Sequence, residues 1–395
     1  MAIADSALSS SGQSNIPPSA DLLVIGSGIM GLWAAIKAAR AGLSVTLLEE
    51  ARVASGASGG LLGALMPHMP DRWSDKKQFQ FDALLSLEDE VRLLEDETGL
   101  SCGYRRSGRL IPLPKPHLRP IAERHSKDAQ TAWATSDRAF AWNVLETSPQ
   151  PDWLTPDIGA SGVVHDTFAA RVSPRGLTGA LRAFLIRQPN ARLIEGEGVA
   201  ALRTDHVRLT NGERIAFGHA IVAAGHRSFD LLGQIGPPLP KPLGSAVKGQ
   251  AALLKADLDP SLPVIFLNGL YIVAHEGGHV AIGSTSEDVF EDPFATDHRL
   301  DDLIVRAREL SPVLADATVV ERWAGLRPKA IDRDPMVGPH PDAPRVIALT
   351  GGFKVSFGLA HSLAECALGL MTDGPRTVPD SFRLDHHLQV ALRQQ

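Results

Sequence analysis

Cysteine is nearly missing from this 395-residue chain: only Cys102 and Cys366 occur. That excludes a disulfide scaffold and a cysteine-rich metal site, so no metal is expected, and both thiols fit a reducing compartment. No apolar run reaches the length of a membrane span, because charge, Gly or Pro interrupts each candidate. A basic surplus is lacking too: 39 Lys and Arg stand against 45 Asp and Glu, for a net charge of −6. This balance disfavours a nucleic-acid polyanion as the partner. The opening MAIADSALSSSGQSNIPPSA has neither the basic cluster nor the apolar core of a secretory signal. Residues 1–19 are therefore expected as a disordered tail and the protein as cytoplasmic. There is no internal repeat. With 44% hydrophobic and 21% charged residues, the composition is that of an ordinary globular protein, and the length calls for two domains.

The most informative segment is DLLVIGSGIMGLWAAIKAARAGLSVTLLEE, residues 21–50. Residues 22–25 form a short apolar run suited to a strand buried on both faces. Gly26-Ser27-Gly28-Ile29-Met30-Gly31 is a G-x-G-x-x-G turn, and residues 32–41, rich in Ala and Leu, predict a helix that stops at Gly42. Residues 44–48 read as a second strand, followed by Glu49 and Glu50. Each part has a physical task. Gly26 allows a tight turn, Gly28 lets a pyrophosphate approach the backbone, and Gly31 lets the helix lie close to the strand. The helix N-terminus, at Ile29 and Met30, offers unpaired N–H groups and a positive dipole end to phosphate. Glu49, 18 residues after Gly31, is placed to accept the ribose hydroxyls of an adenosine and would repel the extra phosphate of NADP.

Residues 51–70 read ARVASGASGGLLGALMPHMP. With this loop the chain resembles the D-amino acid oxidase/glycine oxidase/sarcosine oxidase family of FAD enzymes. Gly56, Ala57, Ser58, Gly59 and Gly60 match the small-residue loop that runs along the pyrophosphate and the flavin, where backbone meets cofactor, and Gly63 is a further cofactor-binding candidate. The resemblance continues through Arg171-Val172-Ser173-Pro174-Arg175-Gly176-Leu177 at the start of a helix. Val199 falls on the strand that meets the adenine, and Ala224-Gly225 on a second glycine strand near the cofactor. Trp323-Ala324-Gly325-Leu326-Arg327-Pro328 resembles the W-x-G-L-R-P element of glycine oxidases. Gly351-Gly352-Phe353-Lys354-Val355-Ser356-Phe357-Gly358 resembles the G-F-K-x-S-x-G segment of sarcosine oxidase.

The resemblance implies an α/β fold: a Rossmann-like FAD-binding domain of the glutathione-reductase type, plus a substrate domain with a mixed, mainly antiparallel β-sheet. The FAD domain would use residues 20–95, 150–235 and 322–380, and the substrate domain 96–149 and 236–321, leaving 381–395 as a C-terminal tail. Alternation with Gly/Pro punctuation over 236–290 supports a sheet there, and 300–310 predicts an amphipathic helix.

It also implies the chemistry. An amine would lose hydride to flavin N5, giving an imine and then a keto acid or aldehyde; the protein would position and desolvate the substrate. Arg327 would grip the substrate carboxylate through two parallel hydrogen bonds, the alternative being a structural Arg paired with Asp332 or Asp334. Lys354 is a second carboxylate anchor, and Gly351, Gly352, Phe353 and Ser356 would approach the flavin. A helix over 358–371 would direct its positive end at the flavin. His68 is a further candidate, set against a merely structural role in a proline-braced loop. The acidic stretch 88–97 reads as a solvated helix face. No Cys stands where sarcosine oxidases attach FAD, so non-covalent FAD is expected. Residues 278–283 lack the Lys that promotes reaction with oxygen in that branch. Dioxygen or another electron acceptor is therefore the second reactant, which leaves an oxidase and a quinone- or partner-linked dehydrogenase open. GASGGLLGALMPH is also similar to the FAD domain of a tRNA wobble-uridine-modifying flavoenzyme. A non-catalytic FAD-binding subunit is a last alternative, and homo-oligomerisation is compatible with the sequence. The stretch 70–81 matches no known substrate signature.

Overall fold

The structure, a computed structural model, describes residues 16–372 and 377–393; most of the expected N-terminal tail, residues 1–15, lies outside the described residues. The apolar run ending in Leu22, Leu23, Val24 and Ile25 forms the strand Ser19–Ile25, with all four side chains at most 3% exposed. It pairs in parallel with Arg214–Val222 on one side and Val45–Glu49 on the other. Ala343–Thr350 extends the sheet beyond the former strand and Ala191–Glu195 beyond the latter. The chain reverses its direction of winding at Ser19–Ile25, and ligands of such sheets bind at that point, beyond the carboxyl ends of the strands.

Alternate residues of the central strand face two different cores, as the two-residue period requires. Leu22 and Val24 pack with the helices Ile29–Arg40, Asp75–Thr98, Pro174–Leu185 and Ser356–Gly369. Leu23 and Ile25 pack with Arg227–Leu232 and with Leu384–Leu392. The last of these is a folded helix with Leu384, His387, Leu388 and Ala391 buried, where the sequence reading has only a tail. Its short length hides its period, and its apolar face becomes evident only against the sheet.

The second sheet runs Thr318–Ala330, Gly244–Lys255, His279–Gly283, Leu270–His275, Val264–Leu267, Arg109–Pro112, Val163–Asp166 and Trp142–Leu145. It is antiparallel except between Val264–Leu267 and Arg109–Pro112, and the helix His298–Leu310 covers one face. Val163–Asp166 and Thr318–Ala330 thus belong to this sheet, although the sequence reading groups residues 150–235 and 322–380 with the first. Their partners are remote in sequence, so local pattern does not reveal which sheet they join.

Helix starts and stops follow local chemistry. The Ser173 hydroxyl accepts the Gly176 N–H and Pro174 occupies the first turn, as helix N-termini favour. Gly99, at φ 71°, ends Asp75–Thr98. The helices predicted over 32–41, 300–310 and 358–371 each begin two or three residues earlier, at Ile29, His298 and Ser356. The acidic stretch 88–97 is a bracket of ion pairs rather than a solvated face: Glu88 meets Arg106 and Arg138, and Glu90 meets Lys37 and Arg40. Among the described residues, no helix is long and apolar enough to cross a membrane, and no group of three or more His, Cys, Asp or Glu is arranged to hold a metal ion.

Candidate active site

At the carboxyl end of the first sheet lies a cavity of about 480 Å3, lined from Gly26 and Glu50 through to Arg327 and Lys354. Its first half is backbone. Gly26 turns at φ 97°, and a Cβ on Gly31 would fall 1.8 Å from the Gly26 carbonyl oxygen, so the helix Ile29–Arg40 lies against the turn only because that side chain is absent. The N-cap residue, Gly28, has no side chain with which to cap this helix. The Ile29 N–H donates to Ser58 Oγ at 2.9 Å, tying the 56–58 loop to the helix start. Glu49 Oε2 accepts from the Ser27 N–H at 2.9 Å and the Ser27 hydroxyl at 2.7 Å, and Oε1 accepts from the Ala51 N–H at 3.0 Å. These bonds hold its carboxylate against the glycine turn. Glu50 forms an ion pair with Arg227, and both line this end.

The second half gathers side chains from distant segments. The helix Ser356–Gly369 starts here, again with no side-chain cap, and Ser356, Phe357 and Gly358 line the cavity. Two helix N-termini, with their unpaired N–H groups and positive dipole ends, therefore meet one cavity. A Cβ on Gly352 would lie 2.5 Å from Met30 Cε and 2.6 Å from Ser356 Oγ, so the two helix starts approach each other across a position where a side chain would have to displace both.

Arg327 extends from Thr318–Ala330 over Gly249 of the neighbouring strand, where a Cβ would fall 2.1–2.2 Å from the guanidinium. Its Nη1 donates to the Thr285 carbonyl at 3.1 Å. Among the described residues no carboxylate lies within 4.0 Å of it; Asp332 is taken by His386 at 2.9 Å and Asp334 by Lys76. Burial pushes the guanidinium down to about 10, against the pull of Tyr271 and Glu287, so it stays charged at neutral pH. Lys354 places its Nζ 5.5 Å from the Phe353 ring centroid. Desolvation first, and repulsion from Arg327 second, lower its ammonium below the usual lysine value. Two cations thus share this end of the cavity, with no carboxylate of the described residues within 4.0 Å of either; Glu49 and Glu50 line the other end. Tyr271 lines it as well; burial raises its phenol, while Arg109 and Arg327 oppose the rise. Met66, Phe294, Trp323 and Leu326 supply apolar wall.

Most of the residues singled out from the sequence line this cavity. Gly31, Gly351 and Gly352 stand behind its wall, as does Val199, which is 6% exposed in the strand Val199–Leu202. His68 is exposed and does not line the cavity; its backbone N–H donates to Oε1 of Gln80, which does, at 2.6 Å. Within 70–81, Gln80 is the residue that reaches the cavity, from inside the helix Asp75–Thr98. Sequence reasoning also passes over Tyr271, Phe294 and Gly249. One signal is visible in retrospect, since the chain has only two tyrosines.

Residues 21–366 match the family described as FAD dependent oxidoreductase. The glycine oxidase of Pseudomonas aeruginosa is 31% identical over 373 residues, covering 88% of this chain and 93% of that protein. Among solved structures, glycine oxidase from Geobacillus kaustophilus superposes with a TM-score of 0.81 at 22% identity, covering 93% of this chain and 99% of that one. Iminodiacetate oxidase from Chelativorans sp. superposes at 0.80 and 23% identity, covering 92% and 98%. The glycine floor, the Glu49 carboxylate and the two uncapped helix starts fit FAD.

Proposed function

Because the chain belongs to the family of FAD-dependent oxidoreductases, we propose that it oxidises the C–N bond of a small amino acid, or an N-substituted amine, that carries a carboxylate. The observation that carries this reading is the pair Arg327 and Lys354, which face one cavity with no carboxylate within 4.0 Å of either among the described residues. Two neighbouring cations repel each other and are stabilised by an anion between them. A structural arginine at this depth would have a carboxylate of its own. A non-catalytic subunit has no use for such a pair, and a tRNA substrate fits the net charge of −6 poorly.

FAD, when bound, supplies the acceptor for a hydride. The substrate gives up that hydride from the carbon next to nitrogen and a proton from the nitrogen itself. Water then hydrolyses the imine to a keto acid or aldehyde and releases ammonia or an amine. The chain's own residues do the positioning. Gly26, Gly28, Glu49, Ser58 and Ser356 would hold the cofactor, and neither Cys102 nor Cys366 lines the cavity to form a thioether with it. Arg327 grips the substrate carboxylate in its planar fork and so fixes which bond of the substrate is presented. Lys354 adds charge, and Tyr271 offers a hydroxyl beside the guanidinium. Met66, Trp323 and Leu326 keep water from the reacting atoms.

The test is anaerobic mixing of the yellow holoenzyme with glycine, sarcosine, N-substituted glycines and D- and L-amino acids, followed by air. Bleaching by carboxylate-bearing amines, and not by the matching amines without a carboxylate, is the expected result. Rapid recolouring with peroxide identifies an oxidase, and slow recolouring a dehydrogenase that passes electrons to a quinone or partner. A correctly bound flavin that no member of the panel bleaches overturns the reading.

A further inference from the structure

We propose that Phe294, on the loop 288–296, selects amino acids that carry a large apolar substituent, of the size of a phenyl ring, on the nitrogen or the α-carbon over glycine and its N-methyl derivative. The inference rests on the reading above, in which this cavity oxidises a carboxylate-bearing amine. Two large apolar side chains of the loop lie in water: Val289 is 85% exposed and Phe294 66%. They differ in one respect, for Phe294 lines the cavity and Val289 does not. An aromatic ring held open at the wall of a substrate cavity gains most when a ligand's apolar surface covers it. Leu326 and Met66 line the same space. Glycine has nothing to lay against such a wall.

The backbone that carries the ring is held in place. The fully buried Gln250 staples the base of the loop: its amide donates to Glu287 Oε1 and Asp297 Oδ1, each at 2.9 Å, and accepts the Asp297 N–H at 2.8 Å. Its own N–H donates to Thr285 Oγ1 at 2.9 Å. Arg299 closes the same base on Glu287 at 2.8 Å. Nearer the tip, Asp292 Oδ1 accepts the N–H groups of Phe294 and Ala295 at 2.8 and 3.0 Å, which sets the backbone that aims the ring. The root of this loop also supplies the Thr285 carbonyl that Arg327 touches. Carboxylate anchor and aromatic wall are therefore fixed relative to each other by one stapled segment, which makes the wall a reader of whatever the amine carries.

The experiment measures kcat/KM of the holoenzyme for glycine, sarcosine, N-benzylglycine, D-phenylalanine and L-phenylalanine. It compares the natural protein with Phe294→Ala, Phe294→Leu and Val289→Ala. All five substrates use the same carboxylate clamp, so their ratios isolate the substituent. Burying one phenyl group against an apolar wall predicts a preference of about tenfold or more over glycine for at least one aromatic substrate. Phe294→Ala should lower that ratio about tenfold, Phe294→Leu should keep most of it, and Val289→Ala should leave it within about twofold. Whether N-benzylglycine or a phenylalanine carries the preference places the substituent on nitrogen or on carbon. A natural enzyme that prefers glycine and sarcosine, or a ratio that Phe294→Ala leaves unmoved, overturns the proposal while the carboxylate-amine reading stands. If none of the five reduces the flavin, both fall.

Discussion

Two arginines occupy the region where the sheets approach each other, and their surroundings are opposite. Arg171 is fully buried and saturated. Its guanidinium meets both Glu276 oxygens, at 2.6 and 2.9 Å, together with the carbonyls of Gly103 and Pro260. It lines no part of the cavity. Among the described residues Arg327 has a single acceptor, the Thr285 carbonyl, and it lines the cavity. The same chemical group is a joint in one place and an open hand in the other. What separates them is the number of acceptors the fold supplies, since a buried cation that lacks its full set is held in readiness for a ligand.

That contrast can be tested by removing each in turn. Arg327→Met should lower kcat/KM for a carboxylate substrate by about 1000-fold, roughly 4 kcal/mol, the worth of two charge-assisted hydrogen bonds. Its melting temperature should move little, because only the Thr285 carbonyl loses a partner; a variant that unfolds instead would make Arg327 another structural joint. Arg171→Ala should show the reverse. It leaves two carbonyls unpaired and Glu276, which is 44% exposed, with only Arg105 at 3.7 Å, and should cost about 2–3 kcal/mol in denaturant unfolding. Its folded fraction should turn over substrate within a few-fold of normal. The third probe sharpens the joint. His275, beside Glu276, places Nε2 3.2 and 3.1 Å from the carbonyls of Leu61 and Leu62. Burial, and then the Arg171 charge, push its imidazole down from 6.5 to about 4. The folded protein therefore binds fewer protons than the unfolded chain between those values. The stabilisation is fully present above about pH 6.5 and is lost as pH falls toward 4, by about 3 kcal/mol. His275→Gln keeps a donor but does not titrate, so its unfolding free energy should be flatter across that window; an unchanged slope would remove His275 from the account.

The cofactor half of the cavity was legible because its parts are contiguous. The tasks proposed for Gly26 to Gly31 and Glu49 depend on backbone shape and short reach, which a single stretch of sequence displays. Arg327 and Lys354 were legible through resemblance of whole segments. The rest depends on tertiary placement. Gly249 matters because Arg327, paired with Val247 two positions away, lays its guanidinium over it, and Tyr271 because it too lines the cavity, from another strand. Phe294 looks like any loop aromatic until the loop's anchors are known. His68 failed for the converse reason: its neighbours suggested a cofactor loop, but the chain there turns its side chain outward and uses its backbone. The boundary error at Thr318–Ala330 has the same origin, since that strand joins one sheet by pairing and lends its cavity residues to the other domain's ligand.

Gln250 anchors a segment whose ends are interior and whose tip is not. Codons for positions 289 to 296 can therefore drift while the scaffold keeps its shape, and a gene carrying this arrangement has a cheap route to a new diet. Natural variation among descendants should concentrate in that tip, with the amide beneath it left alone.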